Sequence, residues 1–169
     1  MITTDRLLLR APRPDDLLAL HAVFSDPRAM VYWSHAAHDT PARTQDTLDG
    51  MIRSYQETGL EYVIEHDGAV IGKAGLWRLG EIGYILHPDH WGKGLASEAL
   101  AAILPAAWAR HEELAEITAE IDPENTASAR LLTRFGFRLT HSARSTIQIN
   151  GKWCDSAYFA LKRPAAHSP

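Results

Sequence analysis

The sequence predicts an α+β domain built on a mixed, mostly antiparallel sheet flanked by helices. Residues 59–77 read GLEYVIEHDGAVIGKAGLW, two short apolar runs separated by Asp67-Gly68, a dipeptide typical of a type I′ hairpin turn. Asn150-Gly151 separates two later runs, STIQI and KWCDSAYFAL, in the same way. Between these hairpins, apolar residues repeat at helical spacing over 94–111, and the strand-like EITAEID follows. This order of strand, helix and strand indicates one parallel pair joined by a right-handed crossover.

Length and composition favour one soluble domain. The chain has 169 residues, 46% of them hydrophobic and 22% charged, and no apolar run approaches the roughly 20 residues that cross a bilayer. We predict a single domain over residues 1–163 and a flexible tail over 164–169. The net charge of −4 argues against nucleic acid as a partner. Cys154 is the only cysteine, and the first residues lack the pattern of a secretory signal, so a cytoplasmic location is expected.

The N-terminal elements can be placed from local signals. RLLLRAP, at residues 6–12, reads as a first strand, and RPDDLLALHAVFSD reads as a helix opened by Pro14 and two aspartates. The aspartate carboxylates suit the positive end of the helix dipole. A second helix is expected from Pro41.

The segment between these helices, residues 30–40, is predicted to be an irregular loop. It carries Tyr32, Trp33, His35 and His38, more aromatic and imidazole groups than a connector requires. The loop could line a binding site, in which case Tyr32, Trp33 and His35 are candidates for contacting a substrate. A buried aromatic anchor explains the same residues equally well.

The rest of the chain alternates between strands and helices. EIGYILHPD, which begins at Glu81, is a third antiparallel strand, and the helix after it contains Pro105, which is expected to bend the helix axis. ENTASARLLTRFGF forms a short helix with Leu131, Leu132 and Phe135 facing inward and Gly136 as its C-terminal cap. Two final strands close the domain.

A glycine-rich turn precedes the long helix, with Gly92 and Gly94 flanking Lys93. A turn of this kind leaves backbone N–H groups free at a helix N-terminus, where the helix dipole also favours an anion. The spacing matches neither the Walker loop nor the Rossmann fingerprint. We therefore expect a phosphate site for a nucleotide-bearing ligand of another type.

Four segments together resemble the GNAT superfamily of N-acetyltransferases, in particular its RimJ/RimL-like group. They are MITTDRLLLRAPRPDD, EIGYILHPDHWGKGLASEAL, DPENTASARLLTRFGF and NGKWCDSAYFAL, which span nearly the whole chain. The resemblance implies a GNAT fold of about seven strands, with central strands that splay apart, and about four helices.

The resemblance also implies that acetyl-CoA is the acetyl donor and that no metal is required. The pantetheine arm would run along the strand ending at residue 87, and the pyrophosphate would rest on the turn and the helix start. The positions implied as cofactor contacts are Ile85, Leu86, His87, Trp91, Gly92, Lys93, Gly94, Leu95, Ala96, Ser97, Asn125 and Ser128. Trp91 departs from the polar residue that the family has at that position, and Lys93 could compensate for the loss.

The same likeness implies three catalytic candidates. Glu81 lies close to the register of a glutamate that serves as general base in one branch of the family, although an edge-strand glutamate in solvent or a salt bridge would look the same. The tyrosine that many members place near the departing thiolate is replaced here by Leu132. RimL-like members instead carry a serine and an asparagine that match Ser128 and Asn125, with Ser128 donating to sulfur. Asn125 is also a good helix cap.

An acetyltransferase of this kind needs a primary amine as acceptor. The expected acceptor is the α-amine of a protein N-terminus, with Tyr84 among the residues that contact it. A small-molecule amine such as a polyamine, amino acid or aminoglycoside is the alternative, and a non-catalytic acyl-CoA-binding module is a third. The paired histidines at 35 and 38 and at 87 and 90 lack a third ligand for a metal. No membrane or nucleic-acid partner is expected, and either a monomer or a homodimer is compatible with the sequence.

Overall fold

The computed structural model describes residues 1–165, and in this range one eight-stranded sheet is surrounded by five α-helices. The strands are β1 (Ile2–Thr3), β2 (Leu7–Arg10), β3 (Glu61–His66), β4 (Ala69–Arg78), β5 (Glu81–Leu86), β6 (Glu116–Ile121), β7 (Arg138–Ile149) and β8 (Lys152–Lys162). The helices are α1 (Leu17–Phe24), α2 (Pro27–Met30), α3 (Pro41–Thr58), α4 (Leu95–Arg110) and α5 (Thr126–Arg134). Single turns of 3₁₀ helix cover Pro14–Asp16 and Pro88–His90.

The sheet order confirms the predicted α+β class. Neighbouring strands lie in the order β1-β2-β3-β4-β5-β6-β8-β7. All of these neighbours run antiparallel except β5 and β6, which are parallel and are connected through α4. Asp67-Gly68 and Asn150-Gly151 both have positive φ angles and form the two predicted hairpin turns.

The strand and helix counts exceed the expected seven and four by one each. The extra strand, β1, has only two residues, too few to show an apolar alternation in the sequence. The extra helix, α2, is a single turn that begins with Pro27 and is capped by the Asp26 side chain, which accepts from the Arg28 N–H at 2.8 Å. The strand β7 also begins at Arg138, before the predicted STIQI, because two register shifts interrupt its alternation.

Each face of the sheet carries its own apolar core. One core joins α4 and α5 to residues such as Tyr62, Ile64 and Leu76, with Leu100, Ile103 and Leu132 fully buried between them. The other core packs Leu20, Phe24, Leu48 and Met51 of α1 and α3 against Val63 and Ile85. The period-two alternation of β3 and β5 supplies both faces, as expected for central strands. Pro105 lies inside α4, as expected from the sequence.

The predicted domain of residues 1–163 falls within the described range, whereas residues 166–169 of the predicted tail lie outside it. None of the helices described here combines the length and the apolar character needed to cross a bilayer.

The central strands β5 and β6 diverge almost as soon as they meet. They share one paired position, Glu81 with Thr118, where the Thr118 N–H donates to the Gly80 carbonyl at 2.8 Å. From there to Leu86, no residue of β5 pairs with β6, while β6 remains paired with β8 along its whole length. A wedge-shaped gap therefore opens in the middle of the sheet, as the resemblance implied.

The register of β5 fixes which backbone groups face this gap. The His87 N–H donates to the Ile71 carbonyl at 2.8 Å, and positions 85 and 83 follow on the same hydrogen-bonded side towards β4. Because hydrogen-bonded and non-hydrogen-bonded pairs alternate in an antiparallel ladder, Ile82, Tyr84 and Leu86 turn their N–H and carbonyl groups towards the gap. An extended ligand chain could pair with the Tyr84 backbone and the Leu86 N–H as an added strand would.

A buried ion cluster fastens the start of the domain to the sheet. The Arg10 guanidinium donates to both carboxylate oxygens of Asp16, at 2.6 and 2.9 Å, and also binds Glu65. Arg10 is 7% exposed and Asp16 is 4% exposed. The three charges therefore depend on one another for compensation.

We expect the substitution Arg10→Met to lower the free energy of unfolding by about 3–5 kcal/mol, because it leaves a buried carboxylate without its partner. Urea denaturation followed by circular dichroism measures this loss. The control Arg28→Met removes an arginine from an exposed pair with Asp26 and should cost no more than about 1 kcal/mol. Equal losses in the two variants would contradict the role given to Arg10.

Candidate active site

Two cavities meet at the gap between β5 and β6. The donor-side cavity, of about 780 Å³, extends from α2 and the following loop along β5 to the turn before α4. The acceptor-side cavity, of about 410 Å³, lies between α3 and the strands β4, β5 and β6. Both are lined by Trp33, Tyr84, Asn125 and Ser128. The two spaces therefore converge on one small group of side chains.

The turn before α4 presents a run of backbone N–H groups to the donor-side cavity. Gly92 and Gly94 adopt positive φ angles of 71° and 76°, which glycine reaches without strain. The Trp91 N–H donates to the Pro88 carbonyl, and the first helical hydrogen bond joins Glu98 to Gly94. Within the described residues, the six N–H groups of 92–97 have no acceptor. This run of donors at a helix N-terminus can hold a diphosphate, as predicted from the glycines.

Arg6 holds this turn in place, a contact that the sequence alone did not indicate. Its Nη1 donates to the Lys93 carbonyl at 2.8 Å, and its Nε donates to Glu98 at 2.7 Å. Glu98 also accepts from the Thr4 hydroxyl at 2.6 Å. The edge of the sheet is thus tied to both the turn and the first turn of α4. The Lys93 side chain is exposed and lines neither cavity, so only its N–H remains a candidate contact.

Trp91 replaces the expected polar residue with a different kind of anchor. Its indole N–H donates to the Leu86 carbonyl at 2.9 Å, while the ring lines the donor-side cavity and is 49% exposed. The side chain therefore ties the turn to the end of β5. It leaves an aromatic surface facing the cavity.

His87 is not part of the backbone strip that the resemblance implied. Its N–H binds Ile71 and its carbonyl accepts from His90, so neither group is free for a ligand. Its ring accepts from the Asp89 N–H, and the residue lines neither cavity. Ile85 and Leu86 do line the donor-side cavity. The alternation of β5 explains the difference, because position 87 faces β4.

Ser128 and Tyr84 form a hydrogen bond where the cavities meet. The Asn125 side chain accepts from the Ser128 N–H at 3.0 Å and caps α5, which confirms the predicted capping role. The Ser128 hydroxyl lies 2.8 Å from the Tyr84 hydroxyl. Burial raises the pKa of Tyr84 to about 12, although the bond to Ser128 opposes this shift. The phenol therefore remains a neutral hydrogen-bond donor at physiological pH.

A phenol of β5 therefore lies beside Ser128 of α5. Leu132 is fully buried in the core, in agreement with the absence of a tyrosine at that helix position. Tyr84 was predicted only as an acceptor contact, since its distance from Ser128 in the sequence, 44 positions, gives no local signal.

Glu81 begins β5 and lines the acceptor-side cavity, as expected for a base candidate. Its carboxylate also accepts from the Arg78 Nε at 2.9 Å, and the Arg78 guanidinium lies 4.6 Å from the centre of the Trp77 ring. Its side chain is 12% exposed. The salt bridge and the cavity position therefore coexist in one residue.

The inner end of the acceptor-side cavity is polar. Glu61 of β3 is fully buried, and one of its carboxylate oxygens lies 2.6 Å from the Lys73 ammonium of β4. Lys73 is 5% exposed and lies 5.6 Å from the centre of the Trp33 ring. Burial raises the pKa of Glu61, whereas the nearby Lys73 charge lowers it. The sequence analysis did not identify this pair.

The loop between α2 and α3 divides its aromatic residues between two roles. Trp33 lines both cavities, whereas Tyr32, predicted as an acceptor contact, lines the donor-side cavity and not the acceptor-side one. His35 lines neither cavity, and the prediction that it contacts the substrate is not supported. Its ring stacks on His38, which is buried, bonds to the Thr44 hydroxyl at 2.8 Å and packs on Phe24. Burial lowers the pKa of His38 to about 4, so this anchor is neutral near pH 7.

Among residues 1–165, no group of three or more histidine, cysteine or carboxylate side chains is placed to hold a metal ion.

Comparison with known proteins agrees with this geometry. A family model described as an acetyltransferase (GNAT) domain matches residues 6–138. The chain is 28% identical to the uncharacterized N-acetyltransferase YoaA of Bacillus subtilis (strain 168), with 97% of each chain covered. It is 29% identical to the ribosomal protein uS5-alanine N-acetyltransferase of Escherichia coli (strain K12), covering 96% of this chain and 91% of that protein.

A further relative and a solved structure extend the comparison. The spermidine N(1)-acetyltransferase of Escherichia coli (strain K12) is 26% identical, covering 86% of this chain and 80% of that enzyme. A crystal structure of a GNAT-family acetyltransferase from Bacillus anthracis superposes with a TM-score of 0.78 at 27% identity, covering 95% of this chain and 97% of that one. The family model spans well over half of the sequence, and the protein belongs to the GNAT acetyltransferase family, as an acetyl-CoA-dependent N-acetyltransferase.

Proposed function

We propose that the protein transfers the acetyl group of acetyl-CoA to the α-amine of a protein N-terminus. The observation that carries the proposal is the meeting of two cavities at the Tyr84–Ser128 hydrogen bond. The donor-side cavity ends at the unpaired N–H groups of residues 92–97. The similarity to a ribosomal-protein alanine acetyltransferase over 96% of the chain supports the choice of acceptor.

The donor-side cavity has the properties that acetyl-CoA requires. The N–H groups of 92–97 and the α4 dipole suit the pyrophosphate, and the gap-facing backbone of Tyr84 together with the Leu86 N–H suits the amides of the pantetheine arm. When bound, acetyl-CoA supplies the thioester carbonyl carbon that an amine attacks. Trp91 and Leu131 add apolar walls to the same space.

The acceptor amine must lose a proton before it can react. An α-amine has a pKa near 8 and a lysine side chain near 10.4, so deprotonation at pH 7 costs about 1 kcal/mol for the former and about 4 to 5 kcal/mol for the latter. Glu81 is positioned in the acceptor-side cavity to take this proton, directly or through one water molecule. Glu81 is held in an ion pair with Arg78, and such a base is adequate for the α-amine because this amine has the lower pKa.

The departing thiolate needs a hydrogen-bond donor. The Ser128 hydroxyl can donate to sulfur while it accepts from the Tyr84 phenol, which burial keeps protonated. Asn125 fixes the start of α5 and thereby the position of Ser128. Asn125 and Tyr84 act here mainly by orienting Ser128.

Removal of the Ser128 hydroxyl should slow the reaction. We expect Ser128→Ala to lower kcat on the order of tenfold to a hundredfold, with little change in the Kd for CoA, because the hydroxyl acts on the developing thiolate. Tyr84→Phe should give a smaller loss in the same direction. Thr133→Ala removes a hydroxyl from an exposed position of the same helix and should have no effect. Unchanged kcat in Ser128→Ala would reject the role.

The role of Glu81 as a base can be separated from its salt bridge by pH. We expect Glu81→Gln to reduce kcat/KM on the order of tenfold at pH 7 and much less at pH 9, where the α-amine is already neutral. Arg78→Met breaks the same ion pair but keeps the carboxylate, and it should have a small effect that does not vary with pH. Matching losses in the two variants across the pH range would assign Glu81 to structure alone.

A substitution at Gly94 tests whether the CoA pyrophosphate binds close to the backbone of the turn before α4. Valine there should weaken CoA binding by more than tenfold, because a branched side chain disturbs the positive φ of 76° and crowds the free N–H groups. Gly68→Val is a matched control, since Gly68 has a φ of 78° in the β3–β4 turn and lies away from both cavities. Calorimetry with CoA measures both. Equal affinities in the two variants would contradict the phosphate site.

An amine panel tests the proposed activity itself. Release of free thiol from acetyl-CoA should depend on short peptides with a free N-terminus and should be abolished by N-acetylation of the peptide. A small-molecule amine is the second candidate, favoured by the similarity to a spermidine acetyltransferase. CoA binding without turnover on any amine would instead indicate a non-catalytic module.

A further inference from the structure

The Glu61–Lys73 ion pair lies at the inner end of the acceptor-side cavity, and none of the steps above uses it. Both residues line the cavity, and both are at least nine-tenths buried. An ion pair is costly to bury unless its remaining hydrogen-bonding groups find partners. Its position in a cavity of about 410 Å³ therefore calls for an explanation.

Most of the hydrogen-bonding capacity of this pair is unused. An ammonium group has three donors, and within the described residues Lys73 directs one of them to Glu61 and none to any other side chain or carbonyl. The second carboxylate oxygen of Glu61 is buried and has no hydrogen-bond partner in the described part of the chain. The pair thus offers spare donors and one spare acceptor side by side.

Glycines keep the space beside the pair open. Gly83 of β5 lines the cavity and places no side chain beside the pair. A Cβ atom at Gly83 would lie 3.8 Å from the Lys73 ammonium nitrogen. Gly50 of α3 lines the cavity from the opposite side. A ligand group can therefore reach the pair.

The charges around the cavity limit what that group can be. Lys73 already neutralises Glu61, and Arg78 already neutralises Glu81. Glu120 has no cationic partner among residues 1–165 but is exposed, and it accepts from the Ser156 hydroxyl. A second ammonium group at the inner end would meet the Lys73 charge and would leave its donors unmatched.

We propose that Lys73 and Glu61 bind the aminoacyl part of the acceptor, with Lys73 donating to a carbonyl oxygen and Glu61 accepting an N–H. The pair makes the site specific for an amine followed by a peptide group, and it selects against aliphatic polyamines. This inference rests on the proposed acetyl transfer to an amine and names the residues that choose among amines.

Binding and kinetics with two acceptors test the inference. The probes are a short peptide with an N-terminal alanine and spermidine, each measured for kcat and KM with acetyl-CoA and for Kd in the presence of CoA, where no transfer occurs. The double variant Glu61→Gln/Lys73→Met removes both charges together and avoids an uncompensated buried ion. We expect its KM and Kd for the peptide to rise roughly 10- to 100-fold, with kcat within about threefold, while the values for spermidine stay the same or fall.

Two further variants serve as a control for the loss of a lysine and as a second perturbation of the site. Lys162→Met removes an exposed lysine that pairs with Glu116 and should leave every value unchanged. Gly83→Ala keeps the ion pair, adds one methyl group beside Lys73 at contact distance, and should also weaken peptide binding. It provides the measurement if the double variant does not fold.

The possible failures can be told apart. The inference is overturned if the wild-type kcat/KM for spermidine equals or exceeds that for the peptide. It is also overturned if neither the double variant nor Gly83→Ala changes the KM and Kd for the peptide. In both cases the proposed transfer to an amine survives. If wild-type protein acetylates no amine at all, the proposed function fails and this inference fails with it.

Discussion

The divergence of β5 from β6 is the constraint on which the site depends. A strand inside a sheet normally satisfies its backbone on both sides, and β5 gives this up on one side after the single pair at Glu81 and Thr118. The wedge that results provides both the strip of backbone facing the donor and the opening through which the two cavities meet. A ligand that pairs like an added strand replaces the missing neighbour.

Local signals were sufficient to predict much of the fold and one half of the site. The two hairpin turns need positive φ angles, and the dipeptides Asp67-Gly68 and Asn150-Gly151 predict them because these residue types adopt such angles readily. The free N–H groups before α4 follow in the same way from Gly92 and Gly94 next to a helix start. The resemblance to a known family supplied the splayed strands, which local sequence patterns do not show.

The contacts that were missed join residues far apart in the chain or depend on a strand irregularity. Arg6 reaches Lys93, and Tyr84 reaches Ser128, across 87 and 44 positions. Glu61 and Lys73 belong to one hairpin, but a β-bulge between Ile64 and Glu65 shifts the register by one residue. If regular pairing continued from the β3–β4 turn without the bulge, Lys73 would pair with Tyr62. Its side chain would then lie on the face of the sheet opposite Glu61. Only the shifted register brings the two charges together.

The distribution of unpaired polar groups links these features. Within residues 1–165, three buried side-chain atoms have no hydrogen-bond partner: Nε2 of His38, Oε2 of Glu61 and Nδ1 of His90. Glu61 lines the acceptor-side cavity and His90 lines the donor-side cavity, while His38 anchors the loop that carries Trp33. Folded proteins pair nearly all such atoms, because each unpaired one costs about 1–3 kcal/mol. Two of the three residues line the cavities, which indicates that the cavity walls are organised for ligands as well as for stability.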